Sequence, residues 1–215
     1  DTINKDVFAV NFFCLTNYFN KVKPSFYVLL DPNLFRKSHL NSKVEELVSV
    51  LNETSWKMTL FVPATFSNSS LIMNIKNSKL NVVPFNYTPV EGIEGLENFF
   101  LKRNLGMPMA QTVINATIFL AINLSYDKIH LYGVEQSWLK YLSIDNKNRV
   151  SVGLHHFYKG SDKTRENRTL SEFLLSQAVV FKSHMRLQQY AVLKKVRILN
   201  HTPGSYIDAY ERVVD

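Results

Sequence analysis

The stretch MAQTVINATIFLAINLSYDKIHLYGVE, residues 109–135, holds a helix, a short connection and a strand, and its reading decides the fold. From Met109 to Leu124 the chain is apolar on all sides, broken by Gln111, Asn115 and Asn123. A helix apolar all round is a buried one. The breaks keep it below the ~18 consecutive apolar residues that a bilayer crossing needs. It runs into Lys128–Tyr132, a β-rich run closed by Gly133. A helix delivered straight into a strand is the second half of a crossover unit, which predicts a parallel sheet with helices packed on it.

Upstream the same alternation repeats. Val7–Phe12 and Phe26–Leu30 are apolar without polar alternation, as expected of strands covered on both faces, and the second stops at Asp31-Pro32. Asn41 or Ser42 caps a predicted helix carrying Val44, Leu47, Val48 and Leu51. Lys57–Val62 reads as a strand stopped by Pro63, Ser67–Asn77 as a short helix and Asn81–Phe85 as a strand. After Pro89, Gly92 and Gly95, a helix is predicted over Leu96–Arg103, closed by Gly106 and Pro108. Downstream, the pattern dissolves from Gln136 to Arg168 into a polar, charged stretch whose length predicts a lid or a small insertion. Ser171–Lys194 reads as a long amphipathic helix with Phe173, Leu174, Ala178, Phe181, Met185 and Leu187 as its apolar stripe. Val196–Leu199 is a strand, and a short helix is predicted near Tyr206–Arg212. The expectation is one Rossmann-like α/β domain over residues 1–215, with a mostly parallel sheet flanked by helices and a lid-like segment at about 136–168.

Composition narrows the class. Hydrophobic residues make up 46% and aromatics 13%, enough for a sizeable core. The single Cys14, among Phe12, Phe13 and Leu15, excludes a disulfide framework and reads as a buried small hydrophobe. A reducing compartment follows, where the sequons at Asn52, Asn68, Asn115 and Asn167 stay unmodified. Asp1–Asp6 has no leader pattern, so the expected location is cytoplasmic, with peripheral contact at the inner membrane. A net charge of +7 favours a negative partner: a nucleotide-sugar donor, an anionic glycan or glycolipid acceptor, or a membrane surface. Lys and Arg crowd only at Lys159–Arg168 and Lys182–Arg197, without an RNA-binding signature, which argues against nucleic acid. A homo-oligomer stays open.

In parallel sheets ligands sit beyond the carboxyl ends of the strands, which makes Asn11, Asp31 and Glu135 candidates for nucleotide binding. The amide of Asn11 both donates and accepts toward a base or ribose, or caps its strand. Asp31 binds a ribose hydroxyl or starts the turn at Pro32. His155, His156 and Tyr158 put imidazoles and a phenol in the basic stretch. An imidazole titrating near neutrality takes a proton from an attacking sugar hydroxyl, the alternative being solvated loop residues. His130 and His184 read as structural, Lys102 and Arg103 as surface charges. No HExxH, Cys pair or Asp-x-Asp is present, and no P-loop, G-x-G-x-x-G or G-x-S-x-G. The expectation is metal-independent chemistry with no cofactor besides the donor substrate.

Three segments carry a resemblance. Asp6–Asn11 followed by Tyr27–Phe35, the run Ala116–Glu135, and the close Ile198–Tyr210 (of the form N-x-T-P-x-S-x-I-D-A) together resemble glycosyltransferase family 42. These are bacterial CMP-sialic-acid-dependent sialyltransferases; the close also resembles uncharacterised bacterial surface-polysaccharide proteins of the same fold. The resemblance implies inverting transfer from a CMP-activated acidic sugar to a lipooligosaccharide or capsule glycan. It places Asn11 and Asp31 at the nucleotide, His156 or His155 as general base, Tyr141 or Tyr158 on the departing phosphate, and the turn Thr202, Gly204, Ser205 against the nucleotide. The chain departs from the family in three places. The opening Gly-Asn-Gly-Pro-Ser segment is absent, Glu135 stands for Asp, and Met109–Thr112 replaces Ser/Thr-Ser-Gly, which leaves the sugar open. Two alternatives compete: an Mg²⁺-dependent pterin pyrophosphokinase resembling the same superfamily, and a non-catalytic nucleotide-sugar-binding protein.

Overall fold

Four apolar runs become β1 (Phe8–Val10), β2 (Phe26–Val28), β3 (Met58–Pro63) and β4 (Leu80–Phe85), side by side in that order and all parallel. The computed structural model describes residues 5–36, 42–156, 159–165 and 167–213, and within 153–156 and 159–165 the backbone alone. Strand alternation assigns the faces. Ala9, Tyr27, Leu29, Met58, Leu60, Val62 and Leu80 share one core. They pack there with Phe19 of α1 (Phe19–Val22), Leu34 and Phe35 of α2 (Pro32–Phe35), Val44, Leu47 and Leu51 of α3 (Ser42–Glu53), and Leu71 of α4 (Ser70–Met73). Right-handed crossovers between strands that follow chain order put every connecting helix on the same face, as observed. On the opposite face Phe26 stacks with Phe8 at 4.5 Å and with Phe61 at 5.9 Å, an aromatic row across three strands. Cys14 is buried in the shared core, and burial pushes its thiol up to about 11.

After β4 the chain forms a loop and α5 (Glu94–Lys102). Val90 N–H donates to Met107 O and Met107 N–H to Thr88 O, both at 2.9 Å. Gly106 sits inside this clamp, where a Cβ would meet Val90 Cγ2 at 2.2 Å and the backbone oxygen of Thr88 at 2.9 Å. Then comes α6 (Val113–Asn123), started by Thr112, whose hydroxyl accepts from Asn115 N–H. Its Ala116, Ile118, Phe119, Leu120, Ala121 and Ile122 are all buried, as its all-round apolar sequence demands.

The chain divides into two compact units, Asp1–Leu120 and Ala121–Asp215. The second holds β5 (Lys128–Leu131), then an antiparallel meander of β6 (Ser143–Ile144), β7 (Val150–His156) and β8 (Lys159–Arg165). Residues expected to lack regular structure thus carry a three-stranded sheet. Two local causes account for it. Val150 and Val152 are buried and Ser151 is not, the period of a strand. Asp145 turns the first hairpin by accepting from the N–H groups of Lys147 and Arg149 and pairing with the Arg149 guanidinium, which holds its carboxyl down at about 2.

The long helix α7 (Leu170–Leu193) starts at a capping box: Thr169 accepts from Glu172 N–H, and Glu172 accepts from Thr169 N–H at 2.7 Å. Its buried face is Phe173, Gln177, Val180, Ser183, His184, Leu187, Tyr190 and Ala191. The expected stripe is therefore only partly right, since Leu174, Ala178 and Met185 are exposed. The helix is apolar on two sides, and the side that is buried also carries the polar groups. β9 (Arg197–Asn200) then pairs parallel with β5 and with β10 (Glu211–Arg212). The short helix expected near Tyr206–Arg212 does not form. Its backbone groups are engaged elsewhere: Tyr206 N–H donates to Glu135 O, Ile207 N–H to Ser205 Oγ, and Arg212 holds the carbonyls of Ser205 and Ile207. The chain is α/β, with a mostly parallel central sheet flanked by helices, and is Rossmann-like in this sense. Among the described residues no helix is long and apolar enough to cross a membrane.

Candidate functional site

At the carboxyl end of β1 the chain leaves the strand abruptly. Asn11 takes a left-handed backbone (φ 46°) and opens a 3-10 turn over Asn11–Leu15. A non-glycine residue in that region stores strain, which is found most often at functional positions. The turn is pinned from the neighbouring strand. Tyr27, fully buried, donates its hydroxyl to Asn11 O at 2.6 Å and accepts from Cys14 N–H at 2.8 Å. The Asn11 side chain is left with its Oδ1 buried and without a hydrogen-bond partner. A buried acceptor with no donor costs ~1–3 kcal/mol, so it calls for an explanation.

Asp31 lies beyond the end of β2, next to Asn11 in strand order. Its Oδ1 accepts from Asn33 N–H at 2.9 Å and caps α2, with Pro32 as the first helical residue. The turn-starting role is observed, and the exposed carboxylate lies on the carboxyl-end side of the sheet.

In the second unit the carboxyl ends of β5 and β9 are tied together. Val134 N–H donates to Thr202 Oγ1 at 3.0 Å, and Ser205 Oγ donates to Val134 O at 2.7 Å. Asn200 Oδ1 accepts from Thr202 N–H and its Nδ2 donates to Ser205 Oγ, both at 3.0 Å. Thr202, Ser205 and Asn200 are buried, so the two hydroxyls expected at a nucleotide are engaged in holding the 133–136 loop. Gly204 is exposed with φ 66°, the backbone that lets the turn close. Glu135 is exposed, its carbonyl accepting from Tyr206 N–H at 2.8 Å. Thus Glu135, Thr202, Gly204 and Ser205 form one cluster, in which Asn200 is the organising residue.

Beneath this loop lies a polar triad that sequence reasoning missed. His184 is wholly buried, with Nδ1 2.8 Å from the Tyr210 hydroxyl and Nε2 3.1 Å from Gln136 Oε1. An amide oxygen only accepts, so Nε2 carries the proton and Nδ1 accepts from Tyr210. Burial lowers the imidazole to about 4 and raises the Tyr210 phenol well above its ordinary value. His184 is structural, as its helical position suggested. His130, also read as structural, lies on the exposed side of its strand: Lys128, His130 and Tyr132 face solvent, with His130 Nδ1 2.8 Å from His201 Nε2 and Tyr132 stacked on His201 at 4.7 Å.

The expected base falls on the meander. His155 and His156 end β7, and the backbone of His156 pairs with Lys159 across the hairpin. Tyr158 lies outside the described residues. Tyr141 closes a 3-10 turn over Trp138–Tyr141, half-buried, with the Lys140 ammonium 5.4 Å from its ring centre. Among the described residues no group of three or more His, Cys, Asp or Glu is arranged to hold a metal ion. The chain matches no family model, no curated protein and no solved structure.

Proposed function

We propose that this chain binds a CMP-activated acidic sugar at the carboxyl ends of its parallel strands. It transfers that sugar, with inversion and without a metal, to a bacterial surface glycan at the cytoplasmic face of the inner membrane. The observation that carries the reading is Asn11: a strained residue at a parallel strand end, fixed by Tyr27, whose buried Oδ1 has no donor. A cytosine amine or a ribose hydroxyl supplies the missing proton. The Asp31 carboxylate takes a second ribose hydroxyl. His156 or His155 removes the proton from the acceptor hydroxyl, Tyr141 or Tyr158 receives the departing phosphate, and the hairpin that bears the imidazoles acts as the lid. Glu135 and the turn of Thr202, Gly204 and Ser205 are the second unit's own candidates for contact with the nucleotide. The fold and the strand-end placement of Asn11, Asp31 and Glu135 support this reading; the choice of sugar rests on the resemblance alone.

A thermal-shift screen of the full chain against CMP, CDP, UDP, GDP and ATP, each with and without Mg²⁺, tests it. At ~100-fold excess over its dissociation constant a ligand stabilises by ~2.7 kcal/mol. Stabilisation by CMP without metal, lost in Asn11→Ala, is expected. Stabilisation by ATP with Mg²⁺ alone assigns the chain to pyrophosphoryl transfer instead. CMP binding without turnover of any CMP-sugar, unchanged by His155→Ala and His156→Ala, marks a binding protein.

A further inference from the structure

The four strands of the first unit run the same way, so their amino ends share one edge of the sheet, opposite to the carboxyl ends. Lysine collects along that edge. Lys5 precedes β1, Lys23 precedes β2, Lys57 precedes β3 and Lys79 precedes β4, with Lys21 in α1 and Lys76 just after α4. All six are exposed. The segments that form the edge (5–7, 18–25, 51–57 and 73–79) contain no arginine and two acids, Asp6 and Glu53. Neighbouring strands lie ~4.8 Å apart, and Met58 N–H donates to Lys79 O at 3.1 Å, which sets Lys57 beside Lys79. Side chains brace the loops between. Asn52 donates to Asn74 O at 3.0 Å and accepts from Lys76 N–H at 2.7 Å. Asn77 donates to Thr54 O at 2.8 Å and Trp56 to Pro24 O at 2.9 Å. Three apolar side chains stand next to these lysines in the chain: Tyr18 is 50% exposed, Val22 38% and Met73 63%.

We infer that this basic edge docks on a bilayer surface bearing anionic lipid. Charge argues against a second copy of the chain, since a two-fold pairing of the edge sets lysine against lysine. It argues for an anionic partner, and the residue types choose which. Arginine, whose fork suits the phosphates and base edges of nucleic acid, is missing, and Val22 and Met73 meet nothing apolar on a phosphate backbone. A bilayer uses both kinds of side chain. The lysines keep their charge among headgroup phosphates, Val22 and Met73 enter the acyl boundary, and Tyr18 sits at its polar margin. The inference stands apart from the nucleotide reading, because no residue is common to both.

The test is sedimentation of the full chain with vesicles of phosphatidylcholine alone and of phosphatidylcholine mixed with phosphatidylglycerol, at low and high salt. Binding to the mixed vesicles is expected, weakened by salt. Each of Lys21→Gln, Lys57→Gln and Lys76→Gln should lower the partition by about fivefold. Met73→Glu, which removes an apolar contact and adds a charge of the lipid's sign, should lower it by about tenfold. Lys128→Gln, in the second unit, should leave it unchanged, and all five variants should keep the circular dichroism and nucleotide thermal shifts of the parent. Absence of binding, equal binding to neutral vesicles, unchanged binding by the edge variants, or an equal loss in Lys128→Gln overturns the inference. So does salt-sensitive binding of duplex DNA that the edge variants lose while vesicles stay unbound, which assigns the edge to nucleic acid.

Discussion

Tyr27 concentrates much of the argument about the candidate site in one atom. Its hydroxyl bridges Asn11 O and Cys14 N–H from a fully buried ring, so Tyr27→Phe leaves two backbone groups unpaired without changing the packing. The expected cost is ~1–3 kcal/mol, read by urea denaturation. A variant as stable as the parent would show that water replaces the hydroxyl. His184 makes a prediction of the opposite kind. Its folded value, about 4, lies below the ordinary 6.5, so as pH falls the unfolded chain takes up the proton first. Stability should therefore fall between pH 6.5 and about 4, by on the order of 3 kcal/mol, and this contribution should level off below. His184→Gln should flatten that part of the pH profile. Neither residue announced its role in the sequence. A tyrosine in an apolar strand and a histidine in a helix look like packing until the partner brought by the fold is seen. The strand-end placement of Asn11 and Asp31, by contrast, was legible, because a polar residue at the end of an apolar run coincides with the carboxyl end of a parallel strand.

Elements were legible where one physical rule governs them. The four strands of the first unit and α3 follow from apolar runs and a 3.6-residue period, and their boundaries move by only a few residues. The meander of 143–165 was not legible, because its short strands mix charged and apolar residues, and the turn that organises it rests on side-chain bonds from Asp145. The buried face of α7 was only partly legible for a different reason: a helix with two apolar faces does not say which one is buried. Two substitutions test the elements. Thr169→Ala removes the hydroxyl half of the capping box and should cost ~1 kcal/mol in thermal or urea unfolding. Gly106→Ala forces a methyl into the backbone of Thr88 and should destabilise the first unit by ~1–3 kcal/mol, with the loop amides of Val90 and Met107 exchanging faster.

At the scale of the whole chain, each unit holds one of the two tryptophans. Trp56 packs on Phe19 at 4.9 Å and donates to Pro24 O; Trp138 follows Gln136, the partner of His184. Acid should therefore disturb one fluorophore first. Between pH 6.5 and 4 the emission of Trp138, isolated in Trp56→Phe, is expected to change while that of Trp56, isolated in Trp138→Phe, holds steady. A shift of both together would mean that acid acts on the first unit as well. The lone sulfhydryl offers a chemical clock for that unit. Cys14 is buried with its thiol at about 11, so almost none of it is thiolate at neutral pH and no reagent reaches it while the first sheet is closed. With no other cysteine in the chain, each alkylated molecule in a mass spectrum records one excursion of that core into solvent. The rate at which label accumulates in native buffer then measures how often the first unit opens.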